Sequence, residues 1–100
     1  MKPVIFLSEA EQEMLEAALY YESQSTGLGT DFLSEVERAV QSVATSPYTW
    51  PILDGKLRRR LLRRFPFGAL YTIEPKEIVI IAVAHLRRKP GYWKDRVKER

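Results

Sequence analysis

Residues 77–93 read EIVIIAVAHLRRKPGYW, and the rest of the chain is arranged around them. Seven consecutive apolar residues, Ile78 to Ala84, are rich in the β-branched side chains that favour strands. A short run that is apolar at every position predicts a strand covered on both faces, in the middle of a sheet. His85, Leu86, Arg87, Arg88 and Lys89 follow at once, so a buried strand delivers an imidazole and several cations to one edge of the core. Strict alternation would put Val79, Ile81, Val83, His85 and Arg87 on one face. Pro90 lacks an N–H and suits the first turn of a short helix.

Upstream, Val4 to Leu7 predicts a first strand. Ser8 and Glu11 form the S-x-x-E pattern of a capping box at the start of a helix. Met14, Ala17, Ala18 and Tyr21 recur at helical spacing, with Glu9, Glu13 and Glu16 expected in more exposed positions. Gly27-Leu28-Gly29 makes a turn, and Asp31 to Thr45 predicts a second helix with Phe32, Val36, Ala39, Val40 and Val43 as its apolar stripe. The pair reads as a helical hairpin lying on one face of a sheet.

Tyr48 to Gly55 reads as a loop, broken by Pro51 and Asp54-Gly55. Lys56 to Arg64 then carries six cations in nine residues. Taken as a strand, it has Leu57, Arg59, Leu61, Arg63 and Phe65 on one face and Lys56, Arg58, Arg60, Leu62 and Arg64 on the other, which is far more basic. A charged edge strand that resists aggregation explains one or two of these residues; five arginines point further, to binding. Phe67, Ala69, Tyr71 and Ile73 predict the apolar face of another strand, and Glu74-Pro75-Lys76-Glu77 a tight turn. The tail from Pro90 to Arg100 is basic, with Tyr92 and Trp93 as anchors onto the sheet. The predicted fold is α+β: one domain over residues 1–100, a small mostly antiparallel sheet in the order β-α-α-β-β-β-α. The helical hairpin packs on one face, a short helix ends the chain, and a mixed edge involving the first strand is compatible with the pattern.

Composition narrows the function. The chain has no cysteine and one histidine, which excludes disulfides and disfavours a protein-only metal site, so no metal or cofactor is expected. Four consecutive apolar residues near the N-terminus are too few for a signal peptide or a membrane span, which leads to the expectation of a cytoplasmic protein without a membrane partner. Residues 1–50 carry a net charge of −6 and residues 51–100 a net of +9. That asymmetry implies an anionic partner, either nucleic acid or an acidic protein segment. The sequence contains no phosphate-binding glycine loop and no nucleophile elbow.

The candidate residues are therefore cationic. His85, Arg87 and Tyr92 could cleave RNA without a metal, as base or acid, phosphate clamp and stacking or proton-donating group. Lys56, Arg58, Arg59, Arg60, Arg63, Arg64, Arg88 and Trp93 would bind nucleic acid or a protein target. Equally, His85 at a strand end could be structural, with a ring nitrogen bonded to backbone, and Arg87 and Arg88 could pair with a partner's carboxylates.

Y-Y-E at 20–22, G-L-G-x-x-F at 27–32, E-V at 35–36, the arginine-rich run from Arg59 to Phe67, Tyr71, and A-V-A-H-L-R-R-K-P-G-Y-W at 82–93 together resemble the RelE/ParE superfamily of toxins from bacterial toxin–antitoxin modules. The resemblance implies a β-α-α-β-β-β fold and a growth-inhibiting toxin. It also implies a cognate antitoxin that wraps an acidic or amphipathic segment around the toxin in a hetero-oligomer. It leaves two targets open. RelE-like members cleave mRNA in the ribosome, and ParE-like members poison DNA gyrase. Arg87 matches the position of a catalytic arginine of the nucleases, whereas their tyrosine six residues later falls on Trp93, with Tyr92 one place early. The H-x-R-R-x-P-x-Y-W ending is closer to ParE-like members, so the expectation leans to a non-enzymatic gyrase inhibitor associated with plasmid stabilisation. An mRNA interferase is the alternative, and a non-toxic basic binding module a third reading.

Overall fold

The buried strand expected in the middle of the sheet is there, but second from one edge and not at the centre: β5 (Ile78–His85) is buried along its length, and only His85 is partly exposed. A computed structural model describes residues 1–98; Glu99 and Arg100, the last two residues of the expected basic tail, lie outside the described residues. The remaining elements are β1 (Val4–Phe6), α1 (Ser8–Gln24), α2 (Leu28–Thr45), β2 (Ile52–Asp54), β3 (Leu57–Leu61), β4 (Phe67–Ile73) and α3 (Lys94–Lys98). They build an α+β fold on a five-stranded sheet in the order β1-β5-β4-β3-β2. All neighbours are antiparallel except β1, which runs parallel to β5 and supplies the mixed edge.

Two helices cover one face of the sheet. Ala17, Ala18, Phe32, Val36, Ala39 and Val43 are buried there, as their spacing predicts. Tyr21, Phe32, Phe65 and Phe67 meet with ring centroids 4.8–6.2 Å apart, clamping the hairpin to the end of the sheet. The opposite face carries a second cluster of Leu57, Leu70, Val79, Ile81, Ala82 and Ala84, roofed by Trp93 and Val97 of the C-terminal segment.

Four local expectations are corrected. Alternation along β5 breaks at a bulge: Tyr71 pairs with Ile80 and Leu70 with Ala82, which leaves Ile81 as an extra residue. Val79 and Ile81 therefore join the second cluster while Val83 joins the helix-side core. A strand, β2, lies within the segment read as a loop. It is exposed, follows Pro51, and turns through Gly55 (φ 57°) into β3, so its hairpin signal was carried by the breakers themselves. β2 is thus the edge, and arginine-rich β3 is an internal strand. Finally, no capping box forms. The Leu7 N–H is bonded to Ile80 O at 3.0 Å, so the chain turns straight from β1 into α1. Leu7 becomes the N-cap, and the Ser8 hydroxyl donates to Glu9 instead.

The helical hairpin closes on two glycines and one carboxylate. Gly27 has φ 89° and precedes α2, which starts at Leu28 rather than at Asp31. The Glu22 carboxylate accepts from Gly27 N–H at 2.9 and 3.1 Å and from Gly29 N–H at 3.0 Å, satisfying donors that a helix start leaves open. A Cβ on Gly29 would stand 2.5 Å from the Ala18 carbonyl oxygen, so the two helices meet backbone to backbone there. Gly29→Ala is expected to destabilise the chain by about 1–3 kcal/mol, the range for overpacking a close contact. Urea unfolding measures it; an unchanged midpoint would contradict the contact.

Candidate functional site

The cationic ending is built around a residue of the first helix. β1 covers β5 only as far as Ile80, and beyond it the outer edge of β5 has no strand partner among the described residues. Two side chains take up the exposed backbone groups. Val83 N–H donates to Glu13 Oε1 at 3.2 Å, and Ile81 O accepts from Arg96 NH1 at 3.1 Å. Arg96 also grips Glu13 through both of its terminal nitrogens, at 2.9 and 3.2 Å. Arg88 reaches Glu13 Oε2 at 3.3 Å. The Glu13 side chain retains 13% exposure and that of Arg96 15%, so the pair is shielded from solvent. Burial works against the Arg96 charge, but hydrogen bonding and attraction to Glu13 outweigh it and raise its pKa. Glu13 is thus not among the solvated glutamates expected along α1.

Tyr92 lies between the two arginines. The Arg88 guanidinium carbon is 3.6 Å from its ring centroid and that of Arg96 5.2 Å. Its hydroxyl is buried close to Glu13 without hydrogen-bond geometry to it or to any other described group. Burial first, then the Glu13 carboxylate, push its pKa up to about 12. Trp93 is buried in the second core cluster, as the sheet anchor it was expected to be, and of its expected binding surface only a small edge remains exposed. Pro90 precedes α3 by four residues. It lies in a turn with Gly91 at φ 92°, and does not open the helix.

His85 sits where β5 ends. Its ring packs edge-on against Phe67, centroids 5.0 Å apart, and its Nδ1 accepts the Arg87 N–H at 3.0 Å. This is the structural arrangement that the sequence left open as the alternative to a catalytic one. An accepting Nδ1 places the ring proton on Nε2. Arg87 lies beyond the strand, in the turn, with an exposed side chain that makes no hydrogen bond, ion pair or ring contact with other described residues. Between this turn and β3 runs a cleft of about 210 Å³, whose walls include Leu53, Arg59, His85, Leu86, Arg88 and Trp93.

The arginines of β3 divide by face. Arg58 and Arg60 point to the helix side and are committed to structure. Arg58 donates to Trp50 O at 2.7 Å and Tyr48 O at 3.3 Å. Arg60 donates to the Ser42 hydroxyl at 3.1 Å and stacks 4.7 Å from the Trp50 ring. Lys56 pairs with Glu74 at 3.1 Å, and Arg64 with Asp31 at 3.5 Å. The Arg63 backbone N–H binds the buried Glu35 carboxylate at 3.3 Å, which leaves its side chain exposed. Arg59 extends over Gly68 on the other face and into the cleft. Of the expected binding arginines, Arg59 and Arg63, and of the expected catalytic residues Arg87, have side chains with no hydrogen-bond, ion-pair or ring partner among the described residues. Among those residues there is also no cluster able to hold a metal, and no helix is long and apolar enough to cross a membrane.

Comparison with known proteins agrees with this architecture. A chain described as part of the chromosomal ParDE TA system from P. aeruginosa superposes with a TM-score of 0.72, over 87% of this chain and 98% of that one. At 17% identity that likeness speaks to the fold. No curated protein sequence matches significantly. The profile of the ParE toxin of the type II toxin–antitoxin system parDE matches residues 4–90, nearly the whole chain. The chain therefore belongs to the ParE toxin family of type II toxin–antitoxin systems.

Proposed function

We propose that this chain arrests bacterial growth by binding DNA gyrase through the exposed turn around Arg87, without catalysing a reaction of its own, and that a cognate antitoxin neutralises it. One observation carries the choice against RNA cleavage: of the three residues a nuclease would need, only Arg87 is free. His85 is held by the Arg87 N–H and by Phe67. The Tyr92 hydroxyl is buried and its pKa is pushed up to about 12, far from the near-neutral value that suits a general acid or base. Two features favour an antitoxin with an acidic or amphipathic segment. The second half of the chain carries a net charge of +9, and Leu15, Leu19 and Leu33 leave an apolar row exposed on the helical hairpin.

Brief induction without antitoxin tests the reading, with chromosome breakage and transcript integrity scored in parallel. Broken DNA with intact transcripts is expected, and His85→Asn, which keeps an acceptor near Nδ1, should leave the arrest in place. Codon-phased transcript cuts with an intact chromosome would overturn the proposal and favour a ribosome-dependent nuclease. Arg87→Ala should weaken the arrest without moving the unfolding midpoint, since its side chain supports nothing in the fold.

Tyr92 gives an independent check. In the folded chain Tyr71 and Tyr92 both have pKa values raised to about 12, against about 10 when unfolded. Keeping those protons contributes stability that is fully present below pH ~10 and is lost as pH rises through the folded values near 12. Tyr92→Phe should make that alkaline decline shallower, cost little stability at pH 7, and preserve growth arrest. Abolished arrest in a folded Tyr92→Phe chain would point to chemistry at the hydroxyl. Urea midpoints between pH 8 and 12 provide the measurement.

A further inference from the structure

The exposed Arg87 belongs to a turn with little packing of its own: Leu86 to Pro90 are all exposed, and the turn hangs between His85 and Trp93. Its backbone is held by Leu86 N–H donating to Pro66 O at 2.9 Å and Arg88 N–H to His85 O at 3.1 Å, and what fixes it through side chains is a carboxylate on a distant helix. Glu13 holds Val83 just before the turn, Arg88 within it and Arg96 after it. Arg96 in turn bonds Ile81, and Arg88 covers the Tyr92 ring. A single side chain therefore ties three points of the C-terminal segment to α1.

We propose that Glu13 is a positioning residue for target recognition, setting the direction in which Arg87 is presented although it need not touch the target. This rests on the reading of the Arg87 turn as the target contact. The physical basis is preorganisation. A five-residue exposed turn released at one side samples many orientations, and binding through one arginine then carries the entropy of ordering it. Glu13, Arg88 and Arg96 also form a small network, so removing its acceptor leaves two guanidinium groups beside an open strand edge with no common anchor. Because Arg87 makes no contact with Glu13, loss of the carboxylate would act on recognition only through the turn.

Two measurements decide the proposal. In Glu13→Ala, amide hydrogen exchange in residues 83–93 should accelerate by about tenfold or more while β4 and α2 exchange as before, the pattern of a local opening. Unchanged exchange in the turn would overturn it, because Glu13 would then not be what holds it. The second is a double-mutant cycle on growth arrest, read as the inducer dose that halves the growth rate. Glu13→Ala and Arg87→Ala should each weaken arrest, and the double variant should be no weaker than the worse single one within about twofold. A merely structural role for Glu13 predicts additive losses instead, and additivity would overturn the proposal. If Glu13→Ala fails to unfold cooperatively, Glu13→Gln carries both tests. Exchanging the charges, Glu13→Arg with Arg96→Glu, should restore part of the protection in the turn. Growth arrest does not depend on which target is hit, so failure of the gyrase reading appears only in the scoring of DNA and transcripts. A wild-type chain that arrests nothing fails the toxin reading, and the exchange result still decides whether Glu13 holds the turn.

Discussion

An unpaired backbone edge is the constraint on which the cationic C-terminal end of this molecule depends. β5 is the most buried strand, yet β1 is only three residues long and leaves the outer side of residues 81–85 without a strand neighbour. Unmet backbone groups there would be costly in a shielded setting and an invitation to aggregation in an open one. Glu13 and Arg96 answer both problems by hydrogen-bonding Val83 N–H and Ile81 O themselves. Their mutual bidentate contact makes the cover a single unit, and losing one partner of such a shielded pair costs more than the pair gains in isolation. The bulge at Ile81 belongs to the same solution. It turns Ile81 and Ala82 together into the second core cluster, where Trp93 and Val97 cover them, and so draws the C-terminal segment across the sheet.

That arrangement sorts the many cations of the second half into structural and available ones. Arg58 and Arg60 stitch the Tyr48–Trp50 segment and α2 to the sheet, Lys56 and Arg64 sit in ion pairs, and Arg88 and Arg96 flank Tyr92. Exposed pairs of this kind contribute little to stability one by one, so their value lies in fixing geometry. Among the described arginines of the second half, those left for a partner are fewer than the sequence alone implies: Arg59 in the cleft, with Arg63 and Arg87 on the surface. A toxin of this family that works by binding needs such a fixed and sparsely committed surface more than it needs a proton-transfer site.

Most of the fold was legible because burial imposes periodicity. The apolar run at 78–84, the stripe on α2 and the Pro-Lys turn before β5 each obey one local rule and appear where that rule puts them. The departures lie where local periodicity carries no signal. The capping box failed because the Leu7 N–H already belonged to the sheet. Face alternation along β5 failed because a bulge leaves no mark in an all-apolar run. β2 was hidden because an edge strand of three residues needs no apolar pattern at all. The candidate site was half legible. Arg87 and the bland reading of His85 could be seen in the sequence, and the anchoring of Trp93 was anticipated beside a surface role for which its burial leaves little area. Glu13 was missed, though a signal existed. It stands three residues after Ala10 and four before Ala17, on the border of the buried stripe, where a carboxylate implies a partner.

The most direct test of a toxin that acts by presentation rather than chemistry uses purified components. DNA supercoiling by gyrase is titrated with this chain and with its His85→Asn form, beside ribosomes translating a defined mRNA. The account predicts that both forms inhibit supercoiling to a similar degree and leave the mRNA whole. Undisturbed supercoiling together with mRNA cut in a His85-dependent manner would contradict it.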